Sequence, residues 1–303
     1  MLILTSSIPT TPERVVIMGA GGFVGRASAD RLKAEGVHTV ALSRTDVDLL
    51  APDGATTLAR HLTPATTLLV TSAVAPVKSS QMLLANLRMM QAVIEALKMA
   101  PVAHLVYISS DAVYSDSDAP LTEASPAAPN SLHGAMHLTR EVMLKSELAG
   151  IPQVFVRPTL IFGPGDPHNG YGPNRFMRLA KAGQDITLFG EGEERRDHVF
   201  IDDVAEIVSR CVRHRAVGIV NAVSGTVTSF REIAELAARF HPSVSVIGTP
   251  RVGAMPHNGY RAFDTRLLVT LFPDFKITTL ANGLDRIKDS STFVPIEARD
   301  GLS

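Results

Sequence analysis

The stretch "VVIMGAGGFVGRASADRL", residues 15–32, decides the fold. An apolar run of strand length enters a turn carrying Gly19, Gly22 and Gly25, then gives way to apolar residues at helical spacing. Glycine suits such a turn because it accepts positive φ and lets helix and strand approach closely. With no Cβ in the way, the N–H groups and the positive end of the helix dipole face outward, where a phosphate can meet them. Gly19, Gly22, Phe23, Val24 and Gly25 are therefore expected to cradle a dinucleotide pyrophosphate, the competing reading being a plain strand-to-helix turn.

Working outward, apolar runs of strand length ("RVVIM", "HTVALS", "TTLLVTSAV", "AHLVYISS", "QVFVRP") alternate with helical stretches. That alternation predicts an α/β fold, a parallel sheet doubly wound with helices on both faces. After Pro158 the Gly-, Pro- and Asn-rich "TLIFGPGDPHNGYGPN" predicts an exit from the sheet, and "VGIVNAV" at 217–223 a return to it. The expected domains are a loose arm at 1–13, a nucleotide-binding domain at 14–165 plus 198–224, and a smaller, discontinuous C-terminal substrate lobe at 166–197 plus 225–303.

The chain of 303 residues has 45 % hydrophobic and 19 % charged residues, the profile of a folded protein, and a formal net charge of -1. No basic run gives a footprint for nucleic acid or an anionic membrane. No segment offers the roughly 18 uninterrupted apolar residues of a membrane span, and the N-terminus reads as no targeting leader, so a cytoplasmic protein is expected. The single cysteine, Cys211 in "EIVSRCVRH", reads as a buried helix residue rather than a nucleophile.

The end of the second strand bears on the choice of dinucleotide. An acidic residue there would accept from a ribose 2′-hydroxyl, but "VALSRTDVDLL" presents Ser43 and Arg44, and Arg44 would clamp a 2′-phosphate. NADP is favoured over NAD, with Asp46 and Asp48 keeping NAD open.

Beyond the glycine turn "GAGGFVG", further pieces lie in a familiar order: Asn86 in "LANLRMMQAVIEAL", Ser110 in "LVYISSDAVYSD", "RPTLIFGPGD", "ITLFGEGEERRDHVFIDDVAEIV" and "YRAFDTRLLVTLFPDFKITTLANGLDRI". Together the chain resembles the extended short-chain dehydrogenase/reductases, in particular their NAD-dependent epimerase/dehydratase branch acting on nucleotide sugars. The resemblance implies a Rossmann-type domain and a nucleotide-sugar ligand. It implies a cofactor site that adds Ala73, Asn86 and Arg157 to the residues above, and a homodimer formed through the helix of His133 and "QMLLANLRMMQAVIEALKMA". It further implies Ser110 as the catalytic hydroxyl and Asp111 as an extra acid, though Ala112 stands where a dehydratase carries a second carboxylate. Arg196 is the candidate for the substrate's pyrophosphate, Arg195 its competitor and Arg261 a second candidate, each weighed against an ordinary ion pair, with Asp197, Asp202 or Asp203 for the first two.

One piece departs from the pattern. The family's Tyr exchanges a proton with the sugar, and a Lys four residues on holds the ribose and lowers the Tyr pKa. In "PNSLHGAMHLTRE" those positions hold His133 and His137. A shifted register does not rescue the pair, because Tyr107, Tyr114, Tyr171 and Tyr260 are followed four residues later by Asp111, Asp118, Arg175 and Asp264. Three readings stay open. His133 replaces Tyr as acid/base, titrating near neutrality without a cation's help, with His137 toward the ribose. The scaffold binds dinucleotide or nucleotide sugar without redox chemistry. Or His133 and His137, one turn apart, hold a metal with Asp111.

Overall fold

The computed structural model describes residues 2–290. The elements are β1 (Arg14–Met18), α1 (Phe23–Ala34), β2 (Thr39–Leu42), α2 (Gly54–Ala59), β3 (Thr66–Val70), α3 (Ser80–Met99) and β4 (His104–Ile108). There follow α4 (Leu132–Glu147), β5 (Gln153–Pro158), β6 (Leu160–Phe162), α5 (Pro173–Lys181), β7 (Ile186–Phe189), β8 (Arg195–Phe200) and α6 (Ile201–Arg213). The remainder is β9 (Gly218–Ala222), β10 (Val227–Ser229), α7 (Phe230–Ala238), β11 (Val246–Thr249), β12 (Tyr260–Arg261), α8 (Arg266–Leu271) and α9 (Leu280–Asp289).

Two compact units divide this chain. The first is built from residues up to Ser115, Glu123–Thr159 and Val204–Ala222, the second from Asp116–Thr122, Leu160–Asp203 and Val223 onward. The sequence reading set the exchange points at 166 and 198; the structure moves them to 160 and 204. The reason is strand pairing: Leu160–Phe162 runs parallel to His198–Phe200, so both belong to the second unit's sheet. The short segment 116–122 joins the second unit through Leu121, whose N–H donates to Ala262 O and whose carbonyl accepts from Asp264 N–H.

The first unit holds a six-stranded parallel sheet in the order β2-β1-β3-β4-β5-β9, the expected Rossmann-type architecture. Val, Ile and Leu fill its strands because helices cover both faces, and every residue of β3, β4 and β5 is buried. Each such apolar side chain contributes about 1.5–3 kcal/mol on burial. The strand order reverses between β1 and β3, so the turn leaving β1 opens at the switch point where ligands of such sheets bind. The returning strand expected at 217–223 is β9, paired with β5. Cys211 is fully buried in α6, and that burial pushes its thiol up to about 12, leaving no reactive thiolate near neutrality.

The loose arm expected at 1–13 is corrected. Ile3 and Val217 exchange two backbone hydrogen bonds of 2.8 Å, and Ser6 and Thr10 donate to the carbonyls of His214 and Arg213. Backbone groups carry this pairing, so a Ser-, Thr- and Pro-rich composition conceals it. The second unit pairs β8 with β6, β10 and β12, and β7 with β11. No helix among the described residues is long and apolar enough to cross a membrane.

Candidate active site

The glycine turn has the form its sequence predicts. Gly19 sits at φ +93°, and a Cβ there would lie 2.7 Å from Ser72 N. A Cβ on Gly25 would collide with the Gly19 carbonyl oxygen and lie 2.8 Å from the Thr71 hydroxyl, which itself donates to the Met18 and Gly19 carbonyls. Helices α3, α4, α7 and α9 begin with Ser79, Ser131, Ser229 and Thr279 as side-chain caps. Helix α1 begins with Gly22, which has no side chain to cap with, and its first turn holds no acidic residue. Phe23, Val24 and Gly25 open that turn with uncapped N–H groups, an arrangement that fits a dinucleotide's phosphates.

At the end of β2, Ser43 closes the turn: its N–H and hydroxyl both donate to Asp46 Oδ2. Arg44 donates through Nε and Nη2 to Asp48 Oδ2, both at 3.2 Å, yet its side chain is 80 % exposed. A pair so exposed is worth little and can exchange for a phosphate. Ala73 is exposed in the loop after β3. Asn86, in contrast, is fully buried: its amide accepts from Val74 N–H and donates to the Val74 and Met82 carbonyls. It anchors the loop that carries Ala73, and both ends of its amide are engaged within the fold.

Arg157 is engaged as well. Its side chain is buried, and Nε and Nη2 donate to Glu141 Oε1 and Oε2 at 2.9 and 2.6 Å. Ser109 donates to the same carboxylate at 2.7 Å, and Lys145 reaches it at 3.3 Å. Burial alone would raise the Glu141 carboxyl; Arg157 and Ser109 outweigh it and hold the group below its usual value. The guanidinium is thus committed beneath the sheet's end, stacked 4.8 Å over the Tyr114 ring.

Ser110 caps the short 3-10 turn Asp111–Val113, its Oγ accepting from Ala112 N–H at 3.1 Å and donating, at a long 3.4 Å, to Asp111. That turn packs on the start of α4, because Gly134 lies under it: a Cβ on Gly134 would collide with the Ala112 carbonyl oxygen and sit 2.7 Å from Pro129 Cβ. Gly134 directly follows His133, so this packing brings the Ser110 turn to the end of α4 that carries His133.

His133 and His137 meet edge to face, 4.8 Å between ring centroids. Val77 N–H points at His133 Nδ1 from 3.5 Å. His137 is buried, and its Nδ1 bonds the Tyr107 hydroxyl at 2.8 Å. Burial first, then the charges of His133 and Arg140, hold the His137 ring neutral, well below its usual range. The metal reading finds no support in this geometry: Nδ1 of His137 is engaged, and no group of three potential ligands is gathered among the described residues.

In the second unit, β8 and β12 run parallel with Arg196 and Arg261 in register. Arg196 pairs with Glu194 at 2.9 Å. Asp197 accepts from Ser224 and Gly225 N–H, Asp203 from Thr278, and Asp202 pairs with Arg286. Arg195 is exposed. Arg261 is buried, 3.2 Å from Asp116 and 3.1 Å from His257 Nδ1, and Asp116 also pairs with His257. Both guanidiniums are thus engaged by carboxylates, Arg196 by Glu194 and Arg261 by Asp116.

The sequence model of the NAD dependent epimerase/dehydratase family matches residues 15–223. The chain belongs to that family. This family member is 27 % identical over 254 residues to the UDP-glucose 4-epimerase of Mycolicibacterium smegmatis, covering 73 % of this chain and 80 % of that protein. It is 26 % identical over 169 residues to a UDP-N-acetyl-alpha-D-glucosaminuronate decarboxylase of Bacillus cytotoxicus, half of this chain and 51 % of that one. Among solved structures, an epimerase of Methanothermobacter thermautotrophicus superposes with a TM-score of 0.79 at 21 % identity, covering 91 % of each chain. The NADP-bound GDP-L-fucose synthetase of Naegleria fowleri superposes with a TM-score of 0.77 at 17 % identity, covering 94 % and 97 %. The NAD complex of Thermus thermophilus UDP-glucose 4-epimerase gives 0.74 at 21 %, covering 91 % and 99 %. At such identities these structures support the fold.

Several residues of the site escaped the sequence. Tyr107 and Arg140 read as strand and helix interior, and Glu141 as an ordinary polar helix residue. His257 and Asp116 lie in loops without periodic pattern. The signal the sequence does hold is Arg140 three residues after His137, a spacing that puts the two on one helix face.

Proposed function

We propose that this family member is an atypical NAD(P)-dependent epimerase, dehydratase or reductase of a nucleotide sugar, with Ser110 and His133 at the acid/base site. The observation that supports this reading is the packing of the Ser110 turn on Gly134, the residue after His133, which sets the backbone of Ser110 and Asp111 against the end of α4 that carries His133. The turn at Gly19–Gly25 would hold the pyrophosphate, Arg44 the adenosine 2′-phosphate of NADP, and His137 the nicotinamide side; when bound, the dinucleotide supplies hydride transfer. His133 exchanges a proton with the sugar oxygen while Ser110 donates a hydrogen bond to that oxygen. An imidazole titrates near ~6.5, so it needs no cation to depress it as a phenol near ~10 does. Arg196 and Arg261 receive the diphosphate of the nucleotide sugar.

The experiment is direct. Purified protein is melted with NADPH or NADH, then assayed with UDP- and dTDP-sugars for epimerised, dehydrated or reduced product. A rise in Tm with either dinucleotide and turnover on one sugar are expected; no Tm shift at millimolar dinucleotide sinks the cofactor assignment.

A second reading, a redox-inactive binding protein on the same scaffold, is favoured by the neutral, buried state of His137, which leaves no ammonium at the Lys position. It predicts the Tm shift without turnover. In either reading we infer a homodimer through α3 and α4, whose Leu84, Met99, Leu132 and Val142 are apolar and 41–54 % exposed. Sedimentation of the wild type against Leu84→Glu tests that inference.

A further inference from the structure

His137 stands where relatives use lysine, and its surroundings differ from a lysine's. Its Nδ1 lies 2.8 Å from the Tyr107 hydroxyl, and both rings are shut in, Tyr107 1 % and His137 6 % exposed. Behind Tyr107 lies Arg140, 0 % exposed, with its guanidinium carbon 5.4 Å over the phenol ring and Nη1 donating to Ser72 O at 3.0 Å. The positive guanidinium of Arg140 thus faces both the ring and the hydroxyl of Tyr107.

This geometry fixes the direction of the central hydrogen bond. The buried Tyr107 hydroxyl has a proton to place, and guanidinium N–H groups only donate, so Arg140 cannot take it. His137 Nδ1 is the acceptor within reach. A neutral ring that accepts at Nδ1 carries its hydrogen on Nε2. A charged ring would turn Nδ1–H against the phenol O–H, beside a buried guanidinium. The charged or titratable groups facing His137 are His133, Arg140 and, through Tyr107, Glu141, whose charge is already committed to Arg157.

We propose that Tyr107 and Arg140 are positioning residues that lock His137 as a neutral imidazole with its hydrogen on Nε2, so that the lysine position presents an uncharged N–H donor. The functional consequence rests on the reading that α4 faces the nicotinamide ribose. A fixed cation at 137 would oppose a proton on His133, 4.8 Å away between ring centroids. A neutral donor at 137 lets His133 cycle through its imidazolium, so the two replacements depend on each other.

The test is long-range proton–nitrogen correlation spectroscopy on the full chain labelled with 15N-histidine, from pH 8 to 6, with the His137 signals identified by their loss in His137→Gln. The wild type should give the Nε2–H pattern for His137, unchanged across that range. An Nδ1–H pattern for His137, or a midpoint near ~6.5, overturns the proposal whether or not Tyr107→Phe folds. Tyr107→Phe keeps the ring and removes the hydroxyl; His137 should then populate both tautomers and NADPH affinity should fall about tenfold, the worth of one hydrogen bond. A single Nε2–H form in Tyr107→Phe removes Tyr107 from the role. The spectra need neither cofactor nor substrate, so absent turnover with the Nε2–H form intact defeats only the acid/base reading, and turnover beside a titrating His137 defeats only the tautomer lock.

Discussion

Glu141 and Arg157 meet in a double hydrogen bond, 2.9 and 2.6 Å, with both side chains shut away from water. Removing one partner strands the other's charge, so Arg157→Ala and Glu141→Ala are each expected to lose about 3–5 kcal/mol of stability, more than the pair itself contributes. Chemical denaturation measures this, and a loss under 1 kcal/mol would mean water reaches the pair. The folded Glu141 carboxyl titrates below its unfolded value, so its contribution is full above about pH 4.3 and fades as pH falls through the lower folded value.

Gly134→Ala places a methyl against the Ala112 carbonyl. The expected cost is about 1–3 kcal/mol, with the Ser110 turn displaced from α4. Turnover should fall further than stability does if, as proposed, the displaced groups are the reacting ones. Wild-type turnover in Gly134→Ala would separate that packing from catalysis.

His133→Ala and Ser110→Ala should each lower kcat by about 10²- to 10⁴-fold while NADPH affinity is retained. Full turnover in His133→Ala removes it from the mechanism.

Arg44→Ser should weaken NADPH binding by about tenfold or more and leave NADH binding within twofold, since only the former carries a 2′-phosphate. Equal loss for both dinucleotides would instead assign Arg44 to the turn's stability through Asp48.

Three buried histidines predict acid sensitivity. Desolvation holds His104 to about 4 and His198 to about 3, and His137 well below its ordinary value. The unfolded chain takes up protons near ~6.5 while the folded chain does not, so stability falls as pH drops below that point. For His104 the difference amounts to roughly 3 kcal/mol by pH 4. Tm recorded from pH 7.5 to 5 should decline, and the slope should flatten in His104→Asn; a Tm independent of pH over that range contradicts it.

The sheet was legible because its cause is local. Runs such as "TTLLV" and "HLVYI" are apolar throughout, as strands covered on both faces must be, and the glycines at 19, 22 and 25 encode backbone geometry directly. Residue roles were less legible where a polar side chain serves the fold. Arg157 and Asn86 fit a cofactor contact by position, but whether a guanidinium meets a phosphate or Glu141 depends on residues 16 positions away. The arm at 2–13 and the exchange points at 160 and 204 depend on backbone pairing between distant segments, which side-chain pattern does not report. His257 pairs with Asp116 across 141 positions, beyond any periodicity.

A dinucleotide bound as proposed would complete the uncapped start of α1 and so become a component of the folded chain. Helices α3, α4, α7 and α9 carry their own side-chain cap, whereas α1, like α2, α5 and α8, has none, and the phosphates would supply the acceptor at α1. Protease cleavage and amide exchange around residues 19–25 would then track dinucleotide supply, and the lifetime of the polypeptide would follow the cell's nicotinamide pool.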